Sequence, residues 1–375
     1  MTLRNLERRA VKWNRESVVI RCLIVMMAAM MAACAQEPDG PATNAVTRWQ
    51  AQREGRLVVH TNTSMMQPVI DAFQARWPAI KVEVVDRNSS RIAEEVQASV
   101  DAGLPGVDIV WTSAMDQQIK LINDGYAQAY RSPHRRGLPD GAVWRDQGFG
   151  LTADPIVFVY NRRLLPPDMA PDDHADLLRL LNEKPEVFSG RTTLYDVERS
   201  AVGMMLLSAD IQAYPDAWAL MDALGRAAPR LDTSGQRMLG QVNDGRMVFA
   251  YNINRSFAVN YAADHKDVAV VMPSDYRLSV SRVAFIPRNA SHPAAARLFL
   301  DFLLSREGQA LIGRIGAGPV RRDVGGTTTE PGLHPVRVGP GLLANLDQMR
   351  RERMVARWRT AMAKADKAPD DPFAP

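Results

Sequence analysis

The sequence predicts an α/β protein built around parallel β-structure, and three observations carry that expectation. Residues 57–114 repeat one order of elements: an apolar run (LVVH, IKVEVV, VDIVW), then Thr, Asn or Ser within a few residues, then helix-like spacing. Such repetition builds a parallel sheet whose loops line up along one edge. The apolar fraction of 46% is that of a globular protein and argues against disorder. The length of 375 residues leaves room for two lobes once an amino-terminal leader is set aside.

The leader comes first. Arg4, Arg8, Arg9, Lys12, Arg15 and Arg21 precede the apolar run LIVMMAAMMAA at 23–33. That run falls short of the roughly 20 residues a membrane span needs, so 1–35 reads as an export signal. Met31-Ala32-Ala33-Cys34 resembles a lipobox with Met31 in place of the usual Leu, which would make Cys34 a diacylated first residue. Ala33-Cys34-Ala35 also satisfies the small-x-small rule for ordinary cleavage. Both routes stay open, with lipidation of Cys34 favoured. Cys22 lies inside the signal, so the mature domain relies on its core rather than on disulfides.

Residues 36–54 read as a linker and the start of the mature chain. A strand is expected at 57–60, then a helix over 66–77 with Ile70, Phe73 and Trp77 on one face, ended by Pro78. A strand at 81–85 leads to a helix at 90–102, stopped by Gly103. Another strand at 107–111 leads to a helix at 115–123, ended by Gly125. Residues 131–141, RSPHRRGLPDG, read as an irregular loop. ADPIVFVY at 153–160 is a strongly apolar strand. TTLYDV follows, then helices from near Ser200 and over 215–224, then GRMVFAYNINRSFA, VAVVMPSDY and LSVSRVAFIP. In HPAAARLFLDFLLSREGQALIG, Ala296, Phe299, Phe302 and Leu303 form one helical face. An Arg-rich amphipathic helix over 342–363 turns Met349, Val355 and Trp358 inward, and the tail 367–375 reads as disordered.

The words "TNTS", "FQARWPAIKVEVV", "AGLPGVDIVWTSA" and the helix ending in SREGQ carry a resemblance. In this order they resemble the type II periplasmic solute-binding proteins of ABC importers. The branch is that of the ferric-ion-binding proteins, their organic-phosphate-binding relatives and the phosphoglycerate-responsive regulatory proteins. The resemblance implies a two-lobed periplasmic-binding-protein type II fold, with mixed sheets, flanking helices and a two-strand hinge. ADPIVFVY and LSVSRVAFIP would be the crossovers. Lobe 1 would comprise 55–158 and 280–366, and lobe 2 would comprise 159–279. A ligand would sit between the lobes, and closure around it would be a hinge motion.

Ligand contacts are expected in the strand-to-helix loops, which carry Thr61, Asn62, Thr63, Ser64, Ser89, Ser90, Thr112 and Ser113. A helix start offers unpaired N–H groups and a positive dipole end. The same residue types cap any helix, so the expectation rests on several such loops sharing one sheet edge. The second lobe adds Tyr195, Asp196, Ser200, Tyr251, Asn252 and Arg255. Plainer roles compete: a packed strand residue for Tyr195, a turn for Asp196, a cap for Ser200, a solvated cation for Arg255.

Iron-binding members of the branch present adjacent tyrosines at the place matching Tyr251 onward. Here Asn252 follows Tyr251, and Tyr261 stands far along the chain. The histidines are scattered. A small organic anion, phosphate or carboxylate, is therefore favoured over ferric iron, with no metal or cofactor expected.

The net charge of +4 includes the basic leader, and no basic stripe announces nucleic acid. No later apolar run reaches membrane-spanning length. A GxSxG elbow, a P-loop and a dinucleotide fingerprint are all missing, so an enzyme on this fold is the weaker alternative. The expected protein is a periplasmic monomer, held to the membrane only through the lipid on Cys34, that delivers an anionic solute to an inner-membrane ABC permease. The alternative is a ligand-sensing partner of a membrane histidine kinase, with the Arg-rich helix as a docking face.

Overall fold

A computed structural model describes residues 44–325 and 332–363. The signal 1–35 with Cys34 and the tail 367–375 lie outside the described residues. Helix α1 (Ala45–Glu54) leads into β1 (Arg56–Thr61), α2 (Gln67–Arg76), β2 (Lys81–Asp86), α3 (Ser89–Asp101), β3 (Ile109–Thr112) and α4 (Met115–Asn123). A hairpin of β4 (Val143–Trp144) and β5 (Gly148–Gly150) precedes the long strand β6 (Asp154–Asn161). Next come α5 (His174–Glu183), α6 (Pro185–Phe188), β7 (Thr192–Tyr195), α7 (Ala201–Ala213), α8 (Ala217–Arg226), β8 (Arg230–Asp232) and α9 (Gly235–Asn243). The chain continues through β9 (Phe249–Asn254), α10 (Arg255–Asp264), β10 (Val268–Val271), β11 (Arg277–Val280), β12 (Val283–Phe285), α11 (Pro293–Leu304) and α12 (Arg306–Arg314). Strand β13 (Leu333–Pro335) and helix α13 (Gln348–Met362) close it.

The first sheet runs β2-β1-β3-β12-β5-β4. Its β1, β2 and β3 are parallel, and β12 is inserted antiparallel to β3 and β5. The second sheet runs β13-β11-β6-β9-β7-β8, with β10 also on β6. There β7, β8 and β9 are parallel, while β6 is antiparallel to β9, β10 and β11. Helices cover both sheets, so the fold is mixed α/β. The step from β5 to β6 carries the chain from the first sheet to the second, and the step from β11 to β12 carries it back. Their apolar sequence follows from burial on both faces, since every residue of β6 is buried.

Local chemistry sets the helix starts. Asn88 accepts the Ser90 N–H at 2.9 Å, Ser200 accepts that of Gly203 at 3.1 Å, and Asp347 accepts that of Arg350 at 2.8 Å. On α3, Ile92, Val96 and Val100 form the buried face, at the spacing of an amphipathic helix.

The structure differs from the expectations in several places. Residues 45–54, expected within a linker, form α1 and lie on α11, capped by Asn44, which accepts the Thr47 N–H at 2.7 Å. Only Ala51 of α1 is buried, so its sequence has no apolar stripe to read. Strand β13 and helix α13, expected with the first lobe, instead lie with the second sheet. There β13 pairs with β11, and α13 buries Met354, Trp358 and Ala361 in the core around Phe158, Phe188 and Leu224. The expected inward Met349 is 62% exposed, and Met354 takes its place. The 131–141 loop carries short 3₁₀ turns at Pro133–Gly137 and Asp140–Ala142, since Pro is well suited to a first turn.

Candidate functional site

The carboxyl ends of β1, β2 and β3 feed the loops before α2, α3 and α4, and one side chain ties these loops together. Asn62 donates through Nδ2 to Ser89 Oγ and to Ser113 Oγ, both at 2.9 Å. Its Oδ1 accepts the Ser113 N–H at 3.2 Å. Gln117 reaches Ser90 Oγ at 3.2 Å and closes the cluster. The expected convergence of polar loops is therefore built by a single amide, which needs both its donors and its acceptor to do so.

Not every expected side chain faces outward. Thr61, Thr63 and Thr112 are buried. Thr61 Oγ1 accepts the Thr63 N–H at 3.2 Å, and Thr112 Oγ1 accepts Gln118 Nε2 at 2.6 Å. These threonines shape the loops. Asn62, Ser89, Ser90 and Ser113 retain exposure, and Ser64 begins the 3₁₀ turn Ser64–Met66.

The two crossovers meet at a buried ion pair. Arg282 and Asp154 are 1% and 0% exposed, and Arg282 Nη1 donates to Asp154 Oδ2 at 3.0 Å. Ser256, in the first turn of α10, donates its N–H to Asp154 Oδ1 at 3.0 Å and its hydroxyl to Oδ2. Arg282 Nη2 also reaches Ser256 Oγ at 3.2 Å and Met65 Sδ at 3.7 Å. Met65 belongs to the loop after β1, so this cluster joins the first-lobe loops to the helix starts of the second lobe. Desolvating such a pair is costly, and it is held only because several hydrogen bonds satisfy it. Sequence reasoning passed over Asp154, Ser256 and Arg282. The available signal was one charged residue inside each apolar crossover word, ADPIVFVY and LSVSRVAFIP.

In the second lobe, the ends of β7, β8 and β9 present the starts of α7, α9 and α10. Tyr195 is 7% exposed, and its hydroxyl has no hydrogen-bond partner among the described residues. Burial, with Asp232 nearby, pushes its phenol pKa up. Asp196 shapes its loop by accepting the N–H groups of Glu198 at 3.0 Å and Arg199 at 3.1 Å, and Ser200 caps α7. Arg255 opens α10, partly exposed, and makes no ion pair or hydrogen bond among the described residues.

Tyr251 and Asn252 are engaged by Asp210. Tyr251 Oη and Asn252 Nδ2 donate to Asp210 Oδ2 at 3.1 and 2.6 Å, and Tyr276 Oη donates to Oδ1 at 2.8 Å. All of these groups are buried, and burial pushes the Asp210 pKa up. The network pins Asn252 at φ 61°, a conformation Asn tolerates. The side chains of the pair expected at the ligand are thus both bonded to Asp210. Among the described residues no group of three or more His, Cys, Asp or Glu could hold a metal.

Two adjoining cavities, of about 590 and 480 Å³, share Asp140, Gly141 and 335–338 in their linings. The second is lined by the crossover residues Thr152, Ala153, Ser279, Val280 and Ser281. His334 and Arg337 are exposed, and the buried Ser208 and Ser281 of the linings are already paired, Ser208 with Asn345 at 2.7 Å and Ser281 with the Thr152 N–H at 3.4 Å.

The family model described as bacterial extracellular solute-binding protein matches residues 69–330. The chain belongs to the bacterial extracellular solute-binding proteins. One solved structure, the substrate binding protein of an ABC transporter from Agrobacterium tumefaciens, is 34% identical, with a TM-score of 0.77 over 82% of this chain and 94% of that one. Iron-bound HitA from Pseudomonas aeruginosa is 19% identical, with a TM-score of 0.62 over 82% of this chain and 99% of that one. AfuA from Actinobacillus pleuropneumoniae, with fructose-6-phosphate bound, is 17% identical, with a TM-score of 0.65 over 83% and 99%. At those identities the last two show the shared type II fold alone. No curated protein matches the chain. Membership gives this solute-binding protein an extracytoplasmic place, and its family and neighbours bind rather than catalyse.

Proposed function

We propose that this solute-binding protein captures a small organic anion, a phosphate or carboxylate, between its lobes and delivers it to an ABC permease. The single observation behind this reading is the set of polar helix starts that Asn62 stitches together in the first lobe. Beyond the Met65–Arg282 contact, Arg255 opens α10 and makes no ion pair among the described residues. Backbone N–H groups at helix starts favour an anion, and an unpaired guanidinium supplies the charge. The burial of Tyr251 against Asp210 leaves no phenol pair for a ferric ion at that strand. The fructose-6-phosphate in AfuA and the ABC transporter of the Agrobacterium relative agree with this reading. The open form would offer both walls, and the solute would favour the closed one by touching both.

A thermal-shift panel of organic phosphates, carboxylates, uncharged sugars and ferric citrate tests the proposal. A bound anion at 100 times its Kd is expected to add about 2.7 kcal/mol, and Arg255→Ala should weaken that anion at least tenfold. A shift with ferric citrate alone, or with uncharged sugars alone, overturns the anion. Anchoring through Cys34 belongs to the same reading: Cys34→Ser should move the exported protein from the membrane fraction to the soluble one. Unchanged membrane association of that variant would refute the lipid.

A further inference from the structure

We propose that the floor of the cleft holds a second subsite, built on Tyr195 and the α9 start at Gly235, for an uncharged hydroxyl or carbonyl oxygen of the same solute. The inference rests on the anion reading above and narrows it to solutes with an anionic end and a hydroxylated end. The Tyr195 hydroxyl lies against the start of α9: a Cβ on Gly235 would come within 2.7 Å of Tyr195 Oη and 3.9 Å of Phe257 Cδ2. A side chain at 235 would push the phenol away from this backbone. Helix geometry leaves the first N–H groups of α9 without intrahelical acceptors, and Ser234 takes only that of Arg237, at 3.4 Å. The Tyr195 hydroxyl makes no hydrogen bond among the described residues, although the residue is 7% exposed. On the same floor, Arg282 packs over the Phe257 ring at 5.2 Å, and its buried Nε has no partner. Two kinds of unused group therefore meet, a phenol and helix-start N–H groups, beside the Phe257 ring on which Arg282 packs.

The charges around them cancel. Arg282 is paired with Asp154 at 3.0 Å, and Arg237 with Asp232 at 2.7 Å. The Asp232 carboxylate also accepts the Ser234 N–H at 2.8 Å, so the α9 start already has its anion. A second solute anion would gain no net charge here and would meet two carboxylates. A neutral oxygen that can both donate and accept meets a phenol and N–H donors without that penalty. The unpaired cation, Arg255, opens the neighbouring helix, which places the anionic end beside the floor rather than on it.

Isothermal titration with fructose 6-phosphate, fructose and inorganic phosphate tests the assignment, on the mature chain and on Tyr195→Phe and Gly235→Ala. Fructose 6-phosphate should bind more tightly than inorganic phosphate. Tyr195→Phe should cost the sugar phosphate about tenfold while leaving inorganic phosphate within twofold, and Gly235→Ala should do the same by filling the space. Thermal unfolding of each variant checks that the fold survives. A sugar phosphate unaffected by Tyr195→Phe overturns the subsite and leaves the anion reading intact. Equal losses for both anions overturn its neutrality. Binding of fructose alone, lost in Tyr195→Phe, upholds the subsite and overturns the anion reading. No binding of any of the three overturns both.

Discussion

Asp116 occupies the second position of α4, where a helix start would ordinarily favour a carboxylate. It is 2% exposed, and its Oδ1 accepts the Gln117 N–H at 2.8 Å. Burial outweighs that bond and the more distant Arg351, and lifts its pKa from 3.8 to about 6. Between those values the folded chain holds a proton that the unfolded chain has lost. Stability from this group is therefore greatest below pH 3.8 and falls as pH rises through about 6. At about 1.4 kcal/mol per pH unit, the penalty above the window is on the order of 3 kcal/mol. Asp116→Asn should remove it. Urea unfolding of both proteins from pH 4 to pH 8 should show the variant gaining on the parent as pH rises, with the difference level above about pH 7. Parallel curves would mean that Asp116 is solvated in the folded chain. Carboxylates held low by partners, such as Asp275 against His174, contribute the opposite slope in both proteins and cancel in the comparison.

Elements that announce themselves by pattern were legible, and elements held by a partner were not. Helix α4 falls on the residues expected from its apolar spacing, and β1, β2 and β3 fall within a residue or two of theirs. Helix α1 was missed because its apolar positions, Val46 and Trp49, are 61% and 56% exposed and mark no buried face. Its contribution lies at its end: Glu54 accepts the N–H groups of Ala294 and Ala295 at 3.1 and 2.7 Å and so caps α11, which lacks a side-chain cap of its own. Glu54→Ala should therefore destabilise the chain by about 1–2 kcal/mol, as loss of a cap does. Glu54→Gln should recover part of that, and chemical denaturation would measure both. A neutral Glu54→Ala would show that water caps α11 as well. The candidate site divides along the same line. Its loops were visible as Ser, Thr and Asn before helices. Which hydroxyls turn inward depends on short-range bonds, Thr63 to Thr61 and Gln118 to Thr112, which residue type alone does not reveal.

The two sheets do not stand as separate folding units, because one apolar cluster spans them. Val110, Ile119 and Phe285 from the first lobe pack in the same core as Val157, Ile253 and Leu278 from the second. The returning chain straps both: Val336 donates its N–H to Ser279 and Val338 to Gly141, each at 2.8 Å, and Ser208 Oγ donates to Asn345 at 2.7 Å. Leu342 completes the shared core. Lobes that share a core in this way should melt together. Calorimetry of residues 36–375 should show one transition with equal calorimetric and van't Hoff enthalpies. The Arg282–Asp154 pair sits where both crossovers meet, so breaking it should weaken the whole chain rather than one lobe. Arg282→Ala strands a buried carboxylate and should cost about 3–5 kcal/mol, whereas Arg282→Met with Asp154→Leu should recover most of that loss. Two resolved transitions in the parent would show that the lobes are independent. A single alanine variant costing under about 1 kcal/mol would mean that water reaches Asp154 at the hinge.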